Sequence, residues 1–284
     1  MRKPSTLLTI ALTLAAVAGT GLLVALALVY GGLYNVASTR EHLQPTFSVL
    51  ETAMRQSVRL RARAIVVPPL HDEAMVLRGA ACFRDKCVQC HGAPGVAQND
   101  IGKSMQPLPG PLVDARKYFQ PRELYWVTRH GIKMSGMPAW EFRLTEDELW
   151  SVVAFMQRLP DLNAPQYATL VQRAPPAPAC GRELLQTEAP AAVDLERGRQ
   201  ALYQYACNAC HVIPGVTGSS PHVGPPLKGI AGRSLIAGSL PNTQENMARW
   251  LRDTQALKPG TAMPQLGVTE RDAKDIAAYL ATLR

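Results

Sequence analysis

The sequence predicts a mostly α-helical protein, with one N-terminal transmembrane helix followed by two tandem helical domains. Three observations carry this. First, residues Leu7 to Tyr34 are mostly Leu, Ala, Val and Gly, with no charged side chain between Lys3 and Arg40. That run exceeds a signal-peptide core and suffices to cross a bilayer. Second, the pentapeptide Cys87-Val88-Gln89-Cys90-His91 returns as Cys207-Asn208-Ala209-Cys210-His211. Third, each copy sits among the same landmarks in the same order: an entering helix, a Gly/Pro-rich loop, a middle helix, a Met-Pro loop and a capped last helix. Such recurrence indicates duplication.

The chain divides into an anchor (1–36), a stalk (37–69), a first domain (70–161), a Pro/Ala-rich linker (162–192) and a second domain (193–284). Arg2 and Lys3 before the apolar run predict a cytoplasmic N-terminus, with everything after Tyr34 on the far side. In the stalk, Leu50, Met54, Val58 and Ala62 fall at helical spacing, a stripe that a lone helix cannot bury, and Pro68-Pro69 ends it. A helix over about 72–86, carrying Gly79 and Phe83, leads into the first motif. A short helix starts at Pro121, and the capping box Thr145-Glu146-Asp147-Glu148 opens a last helix through Arg158. In the second domain the matching helices cover about 195–206, 243–252 and 269–283, the first with Gly198 and Tyr203. Pro160 to Pro190 holds six prolines and reads as extended and semi-rigid.

The 284 residues carry 30 Lys and Arg against 22 Asp and Glu, a formal charge of +8. Basic residues are scattered except in the stalk, and no nucleic-acid motif is present, so the charge names no nucleic-acid partner. Of six cysteines the two motifs take four. Cys82 and Cys180 remain, an even pair that can oxidise outside the cytoplasmic membrane. A disulfide between them would tie the linker to the helix before the first motif.

C-x-x-C-H is the attachment signature of c-type haem. Two cysteines on one helical turn bond the two vinyl groups of a porphyrin, and the next residue aims its imidazole at the iron. A zinc site would need a second ligand pair near each motif, and none has the spacing. The pattern predicts two covalently attached haem c groups. On the other iron face, a thioether gives the His/Met arrangement of electron-transfer centres. Met137 before Pro138 and Met263 before Pro264 are the candidates. Met134 competes with Met137, and His130 and His222 are rival ligands that would give a bis-His iron. The histidine needs an acceptor on its other nitrogen. The Pro225 carbonyl fits, with Pro111 as its counterpart. Trp126, Trp140 and Trp250 pack on a porphyrin or serve as core aromatics.

With these residues in place, both halves resemble class I cytochrome c. The segment from Gly224-Pro225-Pro226-Leu227 through LPNT to KPG-x-x-MP and Asp272 is similar to the cytochrome c domain fused to subunit II of some bacterial haem–copper oxidases. That resemblance implies covalent attachment at Cys207 and Cys210, with axial ligation by His211 and Met263. The first half, with its GIKMSGMPAW loop, is similar to single-haem cytochrome domains of bacterial respiratory chains. It supports Cys87, Cys90, His91 and Met137 in the same roles. No copper-site cluster of closely spaced Cys, His and Met is present, so the chain is not itself such a subunit II.

The expectation is a membrane-anchored dihaem cytochrome c with no catalytic residue of its own, in a bacterial inner membrane with its haem domains periplasmic. Its donor would be a quinol-oxidising complex, a dehydrogenase or a small cytochrome c, and its acceptor a terminal haem–copper oxidase. It would act as a tethered carrier or a complex subunit. An alternative is the electron-accepting subunit of a periplasmic dehydrogenase. A dihaem peroxidase fits less well, because Met137 and Met263 fill the position such an enzyme must open.

Overall fold

The first helix, α1 (Thr6–Tyr30), is capped by the Ser5 side chain, which accepts from the Leu8 N–H. Its 25 residues span about 37 Å at 1.5 Å per residue, more than the hydrocarbon core of a bilayer. None of its side chains is buried within the protein. The computed structural model describes residues 5–181, 192–221 and 223–284. Arg2 and Lys3, the cue for orientation, lie outside them.

The stalk forms helix α2 (Gln44–Ala62), with Pro45 in its first turn. Its apolar stripe is covered unevenly. Val58 and Ala62 are buried where α2 packs on the first domain, but Leu50 stays 55% exposed. Arg55 pairs with Glu51 at 2.7 Å and lies 5.0 Å from the Tyr118 ring centroid. Part of the stalk's apolar face therefore finds its cover on its own chain.

The first domain is built from α3 (Glu73–Lys86), α4 (Pro121–His130), α5 (Glu146–Arg158) and α6 (Ala164–Arg173). Asp72 caps α3, and Thr145 and Glu148 make the anticipated box at α5. α3 crosses α5 through Phe83 and Phe155, whose rings lie 5.0 Å apart. Tyr125 of α4 stacks on Trp150 at 4.0 Å.

α6 corrects the expectation of an extended linker over 162–192. Asn163 and Gln166 form a capping box, Pro165 sits in the first turn, and Tyr167 and Leu170 bury one face in the first core. The proline count concealed a helix start, where proline costs nothing. Beyond it the chain folds back on α3. Arg84 Nη1 donates to the Pro175 carbonyl at 3.0 Å, and the Ala179 N–H donates to Asp85 at 2.8 Å. The expected Cys82–Cys180 disulfide is present, its Cα atoms 5.3 Å apart. The rest of the linker, 182–191, lies outside the described residues.

The second domain repeats the plan with α7 (Leu195–Gln204), α8 (Gln244–Arg252) and α9 (Glu270–Leu280), capped by Asp194, Thr243 and Thr269. α9 packs on both α7 and α8. A two-stranded antiparallel pair, β1 (Leu235–Ile236) with β2 (Leu240–Pro241), sits between the haem motif and α8. The loop between α4 and α5 reaches out of its own domain. Phe142 is 2% exposed and belongs to the core of the second domain.

Candidate functional site

Both C-x-x-C-H motifs close the same tight turn. The Cys90 and His91 N–H groups donate to the Cys87 carbonyl at 3.1 and 2.9 Å, and those of Cys210 and His211 donate to the Cys207 carbonyl at 3.2 and 2.9 Å. This brings the two thiols of each motif together and sets the histidine just past them. All four thiols are free, while Cys82 and Cys180 are paired. Burial pushes the Cys87 thiol up to about 12 and the Cys207 thiol to about 11. Both therefore remain protonated at neutral pH.

Each histidine is held by a backbone carbonyl. His211 Nδ1 lies 2.8 Å from the Pro225 oxygen, as expected, and His91 Nδ1 lies 2.7 Å from the Gly110 oxygen. The second acceptor corrects the assignment to Pro111. In both domains the acceptor is the residue before a Pro-Leu pair, Gly110-Pro111-Leu112 and Pro225-Pro226-Leu227. The following proline holds that residue extended. A carbonyl only accepts, so each ring carries its proton on Nδ1 and keeps the Nε2 lone pair free. Burial lowers the His91 pKa against the opposing pull of the Gly110 bond, which favours this neutral ring.

The methionine loops are pinned through their main chain. The Met263 carbonyl accepts from Thr254 Oγ1 at 3.1 Å and Gln255 Nε2 at 2.9 Å. The Met137 carbonyl accepts from the Ile132 N–H at 3.2 Å, and the Met137 N–H donates to Ser135 Oγ at 3.2 Å. Gly131, at φ +66°, lets the loop turn over the end of α4, since a Cβ there would strike Met137 O and Pro138 C. Met137 and Met263 are half-buried, whereas Met134 is 95% exposed at φ +59°. The His130 ring lies tilted against Trp126, centroids 5.0 Å apart, and turns Nδ1 toward Glu141 at 3.8 Å. His222 lies outside the described residues. Trp250 is buried in the second core, and Trp140 packs against the first.

The model of cytochrome c oxidase, cbb3-type, subunit III matches residues 74–156, and the cytochrome c model matches residues 195–284. Both halves are cytochrome c domains. Among relatives, cytochrome c oxidase subunit 2 of Alkalihalophilus pseudofirmus is 36% identical over 100 residues, 35% of this chain and 28% of that protein. Cytochrome c oxidase subunit 2 of a Bacillus species is 25% identical over 140 residues, 46% of this chain and 39% of that protein. The cbb3-type cytochrome c oxidase subunit CcoP of Cereibacter sphaeroides is 33% identical over 90 residues, 31% of this chain and 29% of that protein. The chain thus spans well under half the length of each of these relatives.

A cytochrome c domain lies in each half of the chain, and such domains take covalently bound haem c. The residues present fit that group. Four free thiols stand in the two motifs, and two imidazoles are oriented with Nε2 free. At Gly224 a Cβ would fall about where the His211 ring lies, 2.5 Å from Cε1, so the glycine keeps a cradle open for that imidazole. Gly131, Gly224, Thr254 and Gln255 are the supporting residues that sequence reasoning missed. Their only signal was position next to a haem landmark. Met105 was missed too: its sulfur abuts Gly136, beside the Met137 loop.

Proposed function

We propose that this chain is a membrane-anchored dihaem cytochrome c that passes electrons toward a terminal haem–copper oxidase. In this reading α1 spans the inner membrane once, with its N-terminus cytoplasmic and both haem domains periplasmic. Cys87, Cys90, Cys207 and Cys210 would attach the two haem groups, and His91 with Met137 and His211 with Met263 would ligate the irons. The observation that carries it is the matched pair of constellations. Each domain holds a C-x-x-C-H histidine by a carbonyl before Pro-Leu, and each has a Met-Pro loop pinned through its methionine's main chain. The oxidase names of the relatives support the acceptor.

Bound haem c supplies one-electron exchange at iron. The chain's own residues bind and orient. The thiols fix the ring edge. The Gly110 and Pro225 carbonyls hold each imidazole in one tautomer and one rotation, which raises its basicity toward the iron. The pinned thioether loops favour the reduced state. No proton is moved and no nucleophile is needed, so the work of the protein is to limit rearrangement between oxidation states. The donor fitting such a carrier is a quinol-oxidising complex or a small cytochrome c.

An absorption spectrum of the oxidised protein, with a redox titration alongside, tests the reading. Two low-spin centres with the weak red charge-transfer band of Met-ligated ferric haem are expected, both at fairly high potential. A high-spin component that binds cyanide or peroxide would mean an open iron, and the reading would fall.

A further inference from the structure

The loop after Met137 is anchored in two domains at once. On the first-domain side the Trp140 N–H donates to the Arg129 carbonyl at 3.1 Å, and the Glu141 N–H donates to the same carbonyl at 3.1 Å. Glu141 also pairs with Arg129 at 3.1 Å, and Leu144 is buried in the first core. Between these anchors, Phe142 leaves its own domain and enters the second core, where its ring meets that of Tyr205 edge-on at 6.5 Å. The Arg197 guanidinium covers the Phe142 ring at 4.8 Å. Arg143 crosses the same seam. Its guanidinium lies 4.5 Å from the Tyr205 centroid, and Nη2 donates to the Gln204 carbonyl at 2.9 Å.

The receiving surface is itself tied together. Arg197 pairs with the fully buried Asp272, and the Tyr205 hydroxyl donates to Asp272 at 2.7 Å. Phe142 thus shields a buried ion pair from water, where a lost neighbour is felt strongly. The seam also joins the two sites along the chain. Phe142 lies five residues after Met137, and Tyr205 lies two before Cys207.

We propose that Phe142 and Arg143 form an interdomain latch, positioning residues that hold the two haem domains as one body so that an electron passes directly between them. With haem c bound in both domains, the exchange would be of one electron, with no proton or atom transferred. It rests on the dihaem reading above. Without the latch this seam would open, and the separation and orientation of the two centres would fluctuate.

The test uses the full chain, comparing wild type with Phe142→Ala, Arg143→Ala and Phe142→Leu. Spectra and potentials of both centres are recorded first and are expected to be unmoved, since neither residue contacts a proposed ligand. Calorimetry of the wild type is expected to give one shared transition for the two domains, and the two alanine variants should split it. After rapid photoreduction, redistribution of the electron between the centres should slow by about tenfold or more in both, the loss expected when fixed proximity is removed. Phe142→Leu, which still fills the pocket, should restore most of the rate. If Phe142→Ala costs the second domain its fold, Arg143→Ala, at the rim, decides alone. An unsplit transition or an unchanged redistribution rate in the alanine variants overturns the latch. If the purified wild type carries no haem, the dihaem reading fails instead, and the calorimetric comparison then decides whether the latch exists.

Discussion

Gly198 on α7 faces the backbone carbonyl of Asp275 on α9 so closely that a β-carbon has no room between them. Gly79 on α3 meets the carbonyl of Ser151 on α5 in the same way. In each domain the entering and last helices therefore cross backbone to backbone at a glycine. Neither helix can shift cheaply, because the opposing atoms belong to a hydrogen-bonded helix. Gly198→Ala and Gly79→Ala should each cost about 3 kcal/mol or more by overpacking. Each should lower the melting temperature of the transition that the two domains share. Equal melting curves for wild type and both variants would mean the helices can separate without loss.

The assignment of iron ligands makes separable predictions. Met263→His should keep its haem attached, since Cys207 and Cys210 are untouched, and should lower that centre's potential markedly. Met137→His should do the same at the other centre. Met134→Ala should leave both potentials in place, because that side chain is 95% exposed. Met105→Leu should also leave them in place, since the assignment gives its sulfur no iron to bind. A potential that moved with Met134 or Met105 and stayed put with Met137 would reassign the first ligand.

The Cys82–Cys180 disulfide closes a loop across 98 positions of the chain. Removing such a cross-link frees the unfolded chain and should cost about 2–4 kcal/mol. Cys180→Ser should lower the denaturant midpoint without changing either haem spectrum. The double change with Cys82→Ser should cost no more than the single one, since both remove the same bond. Additive losses in the double variant would show that the thiols matter for packing beyond their pairing.

Acid should loosen the same attachment. Burial alone would raise the Asp85 carboxyl, but the hydrogen bonds from Arg84 and from the Ala179 N–H outweigh it and hold its pKa below the ordinary 3.8. A carboxylate depressed on folding stabilises above its unfolded pKa, and that contribution is lost as pH falls through the folded value. Asp85→Asn should therefore cost about 1–2 kcal/mol at pH 7, and the gap to wild type should close below about pH 4. Urea unfolding at pH 7, 5 and 3 measures this. Curves that stay parallel at all three would remove Asp85 from the acid response.

Much of this protein is written locally. Thr145 with Glu148 and Thr269 with the following acidic turn announce helices, because caps act within four residues. The two C-x-x-C-H turns likewise need only five consecutive residues to set cysteines and histidine in place. Where a signal was compositional it misled. Prolines around Pro165 read as an extended linker, although one of them merely occupies a helix start, where its missing N–H is not needed. The Gly110 acceptor was one residue from the expected Pro111, because a Gly-Pro match between the domains aligns less well than the Pro-Leu pair that fixes the preceding carbonyl.

By itself, the sequence determined the apolar N-terminal helix, the duplicated plan and the two C-x-x-C-H turns, because each rests on spacing within one segment. Only the tertiary structure decided where the stalk's apolar face is covered, which carbonyls hold the imidazoles, and that Phe142 belongs to the neighbouring domain's core. A single phenylalanine in a loop has no periodicity to betray its burial. Its place depends on Arg197 and Tyr205, more than fifty residues away, and contacts at that separation exist only once the chain has folded.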